Sequence, residues 1–229
     1  MHALNDNEVL DVIVVGGSFA GQAAALQLAR ARKAVLLIDA QLPRNRFAAA
    51  AHGFLGQDWR APAAIMQDAS RQLLAYPTAA ILHASVHSAR QQDGLFVLTL
   101  TDGSTRHARR LVLATGVTDT LPPIDGMQAR WGQTVLHCPY CHGYEIGGGP
   151  IGVLGVGAAS LHQALLLPDW GDVTFFTQGT FEPVPMLTGL AFGHIARRVT
   201  IPFGAQGRLV SAGGEFVLTL SGYPTVRLV

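Results

Sequence analysis

The chain is poor in charge. Asp, Glu, Lys and Arg supply 14% of its 229 residues, against roughly 25% in an ordinary soluble domain. With 49% hydrophobic residues, little of it can form a solvated tail, so most of the sequence has to pack. Neither sign dominates. Sixteen basic residues face 15 acidic ones for a formal charge of +1, and the basic footprint of a nucleic-acid binder is excluded. Lysine is nearly missing, with Lys33 alone among the basic residues and arginine supplying the rest. Long apolar runs are missing too. Apolar runs such as Val12–Val15, Ala23–Leu26 and Ala164–Leu167 stay far short of the ~20 residues of a membrane-spanning helix. Met1–Asp11 is polar and acidic and does not read as a secretory signal. These absences predict a soluble, cytoplasmic protein with no membrane and no nucleic-acid partner. Cysteine is scarce as well: Cys138 and Cys141 are the only two. In a reducing compartment, a pair three apart points to catalysis or metal binding rather than to a structural staple.

Glycine is what the chain has in excess, 26 of 229 residues or about 11%, against an average near 7%. Much of it gathers in two clusters. Around the first, Asp11–Val15 reads as a buried parallel strand and Gly16-Gly17-Ser18-Phe19-Ala20-Gly21 as a turn. A helix over Gln22–Arg32 and a strand over Ala34–Ile38 ending on Asp39 follow. Strand, glycine turn, helix, strand, acid is the layout of a dinucleotide-binding unit. Gly16 permits the tight turn, Gly21 lets the helix lie close to the strand, and the helix N-terminus faces a pyrophosphate. Asp39 stands where a carboxylate can accept ribose hydroxyls, and Ser18 replaces the middle glycine of the fingerprint.

Beyond this unit, Pro62–Ala75 reads as a helix ended by Tyr76-Pro77. Leu95–Leu100 alternates, Asp102-Gly103 turns, Thr105–Arg110 returns, and Leu111–Leu113 leads into Ala114-Thr115-Gly116. The pattern then restarts after Gly147-Gly148-Gly149-Pro150. Ile151–Leu154 is a strand, Gly155-Val156-Gly157-Ala158-Ala159-Ser160 a glycine turn, Leu161–Leu167 a helix stopped by Pro168, and Asp172–Phe176 a strand. The offset that gives Asp39 lands here on Gln178. Without a carboxylate the ribose contact typical of NAD is lost, so NADPH is permitted and NADH not excluded. After Phe181 the pattern weakens, and Val210–Leu220 alone looks like a hairpin. The fold class is α/β, with two Rossmann-like nucleotide-binding domains and β-meander additions in three layers.

Between the units lies His137-Cys138-Pro139-Tyr140-Cys141-His142-Gly143-Tyr144-Glu145. A two-residue spacer lets two thiols close a small-ring disulfide, and a neighbouring cation lowers a thiol pKa. His137 and His142 can supply that cation or shuttle a proton. Three other readings stay open. A zinc site wants four ligands, and no second CxxC or finger-spaced His pair accompanies this one. Cys-Pro-Tyr-Cys-His also fits c-type haem attachment, which goes with export. Inert buried cysteines are the third.

Two glycine fingerprints, an Ala-Thr-Gly motif and a CxxC just ahead of the second fingerprint resemble the thioredoxin reductase family of flavoproteins. The resemblance is closer to the branch carrying Cys-Pro-Tyr-Cys-His-Gly-Tyr-Glu, which includes dithiol oxidases of natural-product pathways. Pro43–Arg46, His52–Asp58 and Leu113–Asp119 share in it, and it covers roughly residues 9–180. It implies an FAD-binding domain over 1–117 and an NAD(P)H-binding domain over 118–229. Gly16, Ser18, Gly21 and Asp39 would hold the ADP part of FAD, with Thr115 and Gly116 near the crossover between domains. Gly155, Gly157 and Ser160 would hold the NAD(P)H pyrophosphate. Cys141 would face the flavin, Cys138 would exchange with substrate, and His142 would donate a proton; no metal is implied.

The implied activity passes electrons from NADPH or NADH through FAD to the Cys138–Cys141 disulfide. From there they reach a disulfide or dithiol substrate, a thioredoxin-like protein or a small molecule, in a homodimer. One alternative is an oxygen-dependent dithiol oxidase, and another a non-catalytic nucleotide-binding homologue. The family's closing Gly-Asp motif does not occur after Ser160, since Gly171-Asp172 falls within the second βαβ crossover. The closing part of the first domain and the end of the second are therefore expected to be incomplete. That predicts weak FAD binding, poor turnover, and apolar surface left exposed on Val12–Val15 and Leu111–Leu113.

Overall fold

The structure, a computed structural model, describes residues 8–177, 207–212, 215–220 and 226–228. Two compact units are present, Met1–Phe176 and Thr177–Val229. The first opens with β1 (Val9–Val15), α1 (Phe19–Arg30), β2 (Val35–Asp39) and α2 (Pro62–Leu74). Strands β3 (Ala79–His83), β4 (Val86–Gln92), β5 (Leu95–Leu100) and β6 (Thr105–Leu113) follow. They form one sheet in the order β3-β2-β1-β6-β5-β4. The first four strands run parallel, and β5 and β4 join antiparallel.

β1 and β2 are nearly continuous apolar runs because both of their faces are covered. On one face Val12, Val14, Val35 and Leu37 pack with Ala25 and Ala29 of α1 and Leu73 of α2. On the other, Ile13, Leu36 and Ile38 pack with Leu98 and Leu100 of β5. Helices, parallel sheet and meander thus make three layers. This corrects the expectation of exposed Val12–Val15: Val12, Ile13 and Val14 are 3%, 0% and 0% exposed. α1 and α2 cover Val12 and Val14, and the meander covers Ile13. At the far end of β6 the expectation holds, with Leu113 at 69%.

Some elements differ from the sequence reading. Thr105–Arg110 and Leu111–Leu113 form one strand, antiparallel to β5 over Thr105–Ala108 and parallel to β1 from His107 to Leu113. No breaker stands between the two segments. β3 and β4 were not anticipated. β3 begins on two alanines, and β4 (VHSARQQ) is a polar edge strand exposed at every position but its first, so neither carries an apolar alternation. Polar edges of this kind also discourage pairing with other chains. α1 starts at Phe19 rather than Gln22, because the extended backbone of Ser18 (φ −85°, ψ −164°) already ends the turn.

The unit continues with α3 (Met127–Arg130), α4 (Pro139–His142), a 3-10 turn (Tyr144–Ile146) and β7 (Gly148–Leu154). Then come α5 (Ala158–Leu166), a 3-10 turn (Leu167–Asp169) that includes Pro168, and β8 (Gly171–Phe176). β7 and β8 pair in parallel, the second βαβ unit, and Gly171 and Asp172 open its second strand. The other compact unit holds β9 (Gly207–Ala212), β10 (Glu215–Leu220) and β11 (Val226–Leu228), antiparallel in the order β11-β10-β9. Its first two strands are the anticipated hairpin. Gln178 and Phe181 lie outside the described residues. Among the described residues no helix is long and apolar enough to cross a membrane.

Candidate active site

The first glycine turn is fixed by close approaches. Gly16 has φ 106°, and a Cβ there would come 2.2 Å from the Ala114 carbonyl oxygen. The chain leaving β6 therefore lies against the turn, where the Ala114 N–H donates to the Val15 carbonyl at 2.8 Å. A Cβ on Gly21 would fall 1.7 Å from the Gly16 carbonyl oxygen, so α1 seats directly on the turn. Gly17, unassigned in the sequence reading, lies under Asp39: a Cβ there would come 2.2 Å from the carboxyl carbon. The doubled glycine with a downstream acid was the signal that could have found it. The Asp39 carboxylate thus overlies the turn, one oxygen accepting from the Gln41 N–H at 2.8 Å. Ser18 is extended, so the missing middle glycine costs no backbone strain.

α1 has neither a side-chain cap nor an acid in its first turn. Its leading N–H groups therefore present an uncapped, positively polarised end, which suits an anion. Thr115 and Gly116 follow Ala114 at the rim and are exposed, with open space around Gly116.

In the second unit, the Gly155 N–H donates to the Phe176 carbonyl at 2.7 Å and extends the β7–β8 pairing. Gly157 is extended (φ 170°) and faces open space. Ser160 is 6% exposed, and its hydroxyl accepts from the Val156 N–H at 3.1 Å. The side chain braces the turn. α5, like α1, starts with no side-chain cap and no acid in its first turn.

Cys138 and Cys141 are joined by a disulfide, their Cα atoms 5.4 Å apart. Cys138 is the N-cap of α4 and Cys141 lies within it. A cavity of about 260 Å³ adjoins the pair, lined by Phe19 at the start of α1, by His52 and Phe54, and by His137, Cys141 and His142. Cys141 is a lining residue and Cys138 is not. The first fingerprint's helix and the dithiol segment therefore meet at one cavity, which the second fingerprint does not line. Gly143 is the tight point behind the pair: a Cβ there would come 2.4 Å from the Trp170 ring and 2.6 Å from the Pro139 carbonyl oxygen.

Burial pushes His142 below the ordinary histidine value, opposed by Glu145 and reinforced by His52. Burial likewise pushes His137 down, helped by the Arg44 charge and opposed by Asp119. Both imidazoles therefore favour the neutral form more than an ordinary histidine does. Arg44 forks onto Asp119, Nε donating to Oδ2 at 2.7 Å and Nη2 to Oδ1. Hydrogen bonding from Arg44 holds the Asp119 carboxyl below the usual carboxylate range. This pair ties the loop after β2 to the segment after β6. His52 bridges two carboxylates, Nδ1 lying 3.6 Å from Asp58 and Nε2 3.7 Å from Glu145. Sequence reasoning gave Arg44, His52, Asp119 and Glu145 no individual role, although all four lie in quoted motifs. Among the described residues no group of three or more His, Cys, Asp and Glu is placed to hold a metal ion.

Residues 10–186 match the family model described as pyridine nucleotide-disulphide oxidoreductase. A protein named thioredoxin reductase tcpT, from Claviceps purpurea, is 36% identical over 157 residues, 67% of this chain and 49% of the relative. The chain spans about half the length of the curated relatives it matches. The crystal structure of an oxidoreductase from Agrobacterium tumefaciens superposes with a TM-score of 0.74 at 52% identity, covering 77% of this chain and 60% of that one. A putative thioredoxin reductase, TrxB, from Bacillus anthracis gives 0.71 at 25% identity, covering 95% and 73%.

Proposed function

The chain belongs to the pyridine nucleotide-disulphide oxidoreductase family, on its thioredoxin reductase-like side, and from that premise we propose an NAD(P)H-dependent disulfide oxidoreductase whose redox pair is Cys138–Cys141. Bound FAD supplies the two-electron relay between nicotinamide and disulfide. The observation that carries this reading is that Cys141 lines the same cavity as Phe19, the first residue of the uncapped helix α1.

The residues present fit such a group. The first-turn N–H groups of α1, reached past Gly16, Ser18 and Gly21, suit its diphosphate. Asp39, laid over the turn, suits ribose hydroxyls. Thr115 and Gly116 border this site. Gly155, Gly157 and the uncapped start of α5 suit the NAD(P)H diphosphate, with Ser160 bracing that turn. We assign residues 1–117 to FAD and 118–229 to NAD(P)H.

Once reduced, the pair works by thiol–disulfide exchange. The Cys138 thiolate attacks a substrate disulfide, forms a mixed disulfide and releases one substrate thiolate. The Cys141 thiolate then attacks the Cys138 sulfur, releases the second substrate thiolate and restores the Cys138–Cys141 bond. The substrate gains two electrons and two protons, and the Cys138–Cys141 dithiol gives up two electrons and two protons. His142, neutral at rest, takes a proton from a thiol and returns it to a leaving thiolate. The substrate is a thioredoxin-like protein or a small disulfide.

A second reading uses the same residues in the opposite direction. A resting base suits withdrawal of a proton from a substrate dithiol, with the pair then accepting its electrons and oxygen as final acceptor. A visible spectrum of the FAD-loaded, gel-filtered protein separates the two. Anaerobic bleaching by NADPH supports the reductase. Bleaching by a dithiol but not by NADPH supports the oxidase, and failure to retain flavin supports the non-catalytic nucleotide-binding homologue instead.

A further inference from the structure

Residues 51–60 form a closed loop beside the dithiol. Ala51 and Arg60 make an antiparallel bridge, the Gly53 N–H donates to Asp58 Oδ1 at 2.9 Å, and the Gln57 N–H donates to the Phe54 carbonyl at 2.8 Å. Trp59 adopts φ 63°, a region bulky side chains rarely enter. Burial of its ring does not explain this, since Trp59 is 65% exposed. Instead its ring meets the His52 ring edge-on, with centroids 4.7 Å apart. His52 is therefore held by Trp59, by Asp58 at 3.6 Å and by Glu145 at 3.7 Å. Only Glu145 belongs to the dithiol segment, four residues beyond Cys141. His52, Cys141 and His142 line one cavity.

We propose that His52 is a positioning residue: by pairing with Glu145 it clasps the dithiol segment to loop 51–60 and keeps the Cys141 sulfur turned into the cavity. This deepens the dithiol reading and rests on it. A polar contact of 3.7 Å between part-exposed side chains is worth little by itself. A preformed loop that presents His52 with its ring already held loses less freedom on pairing, which is why the clasp is built on a rigid turn.

The test is competitive alkylation of the reduced protein with iodoacetamide, Cys138 and Cys141 being followed separately by peptide mass. In the unaltered chain Cys141, held in the cavity, is expected to react more slowly than Cys138. His52→Phe keeps a ring against Trp59 but cannot pair with Glu145. It should raise the Cys141 rate relative to Cys138 roughly threefold, the range open to a weak, part-exposed polar contact. Glu145→Gln should do the same, and the double variant should exceed neither. An unchanged ratio in both single variants overturns the proposal, and so do additive effects in the double one. Should His52→Phe not fold, Glu145→Gln decides alone. Failure of the dithiol reading shows separately, as no gain of thiols when the unaltered protein is mildly reduced.

Discussion

Replacing Gly21 by alanine sets two physical effects against each other. Inside a helix, alanine is favoured over glycine by roughly 1 kcal/mol, and Gly21 lies in the first turn of α1 without a positive φ. Against this, the new Cβ would stand 1.7 Å from the Gly16 carbonyl oxygen, where ordinary contact begins at 3.4 Å. The obstructing atom is backbone, so no rotamer relieves it. α1 has to lift from the turn, loosening Ala25 and Ala29 from Val12 and Val14. Overpacking costs about 1–3 kcal/mol, and a backbone collision belongs at the upper end. About 3 lost against about 1 gained leaves a net destabilisation of about 2 kcal/mol. With a urea slope of about 2 kcal/mol/M, the unfolding midpoint falls by about 1 M. Gly157→Ala is the control. Its backbone is extended, no atom lies within 4 Å of the added Cβ, and the change should stay within about 0.5 kcal/mol. A Gly21→Ala protein as stable as the parent, or more so, refutes the close seating of α1.

Cys141→Ser should abolish electron passage to a disulfide substrate while leaving the fold intact; full reductase activity in that variant contradicts the assignment. At the Gly155 turn NADH should hold no large advantage, and a tenfold preference over NADPH in steady-state kinetics, about 1.4 kcal/mol, contradicts the reading of that site. Acid should weaken the fold through His137 and His142. Their values are lowered in the folded state, so the unfolded chain takes up protons first. Their contribution is complete above the ordinary 6.5 and is lost as pH falls from there through the lowered values. Urea midpoints measured across that window should fall, and the slope should flatten in a His137→Asn/His142→Asn variant; an unchanged slope refutes it.

The first βαβ unit was legible because several signals agreed: two apolar strands, a glycine turn and an acid at the right offset. Its detail was less so. The fingerprint did not show that Gly17 must be small beneath Asp39, since only the fold brings these two together. The meander was readable from the alternation of β5 and its turn. What escaped was that β5 packs Leu98 and Leu100 onto the parallel sheet, and so buries the face opposite α1 and α2. At the site, spacing alone marked the two cysteines. That Cys141 rather than Cys138 faces the site came only from the family resemblance, and the pairing of His52 with Glu145 across 93 positions depends on long-range placement that carries no local signature.

The most direct test of the redox pair counts thiols as electrons are delivered. The native protein, denatured without reductant, should yield no titratable thiol. After anaerobic incubation with FAD and NADPH it should yield two per chain, and the Cys141→Ser variant should show no such gain. Two thiols that are free from the start, or a flavin that bleaches while the thiol count stays flat, would contradict the assignment of Cys138 and Cys141 as the redox pair.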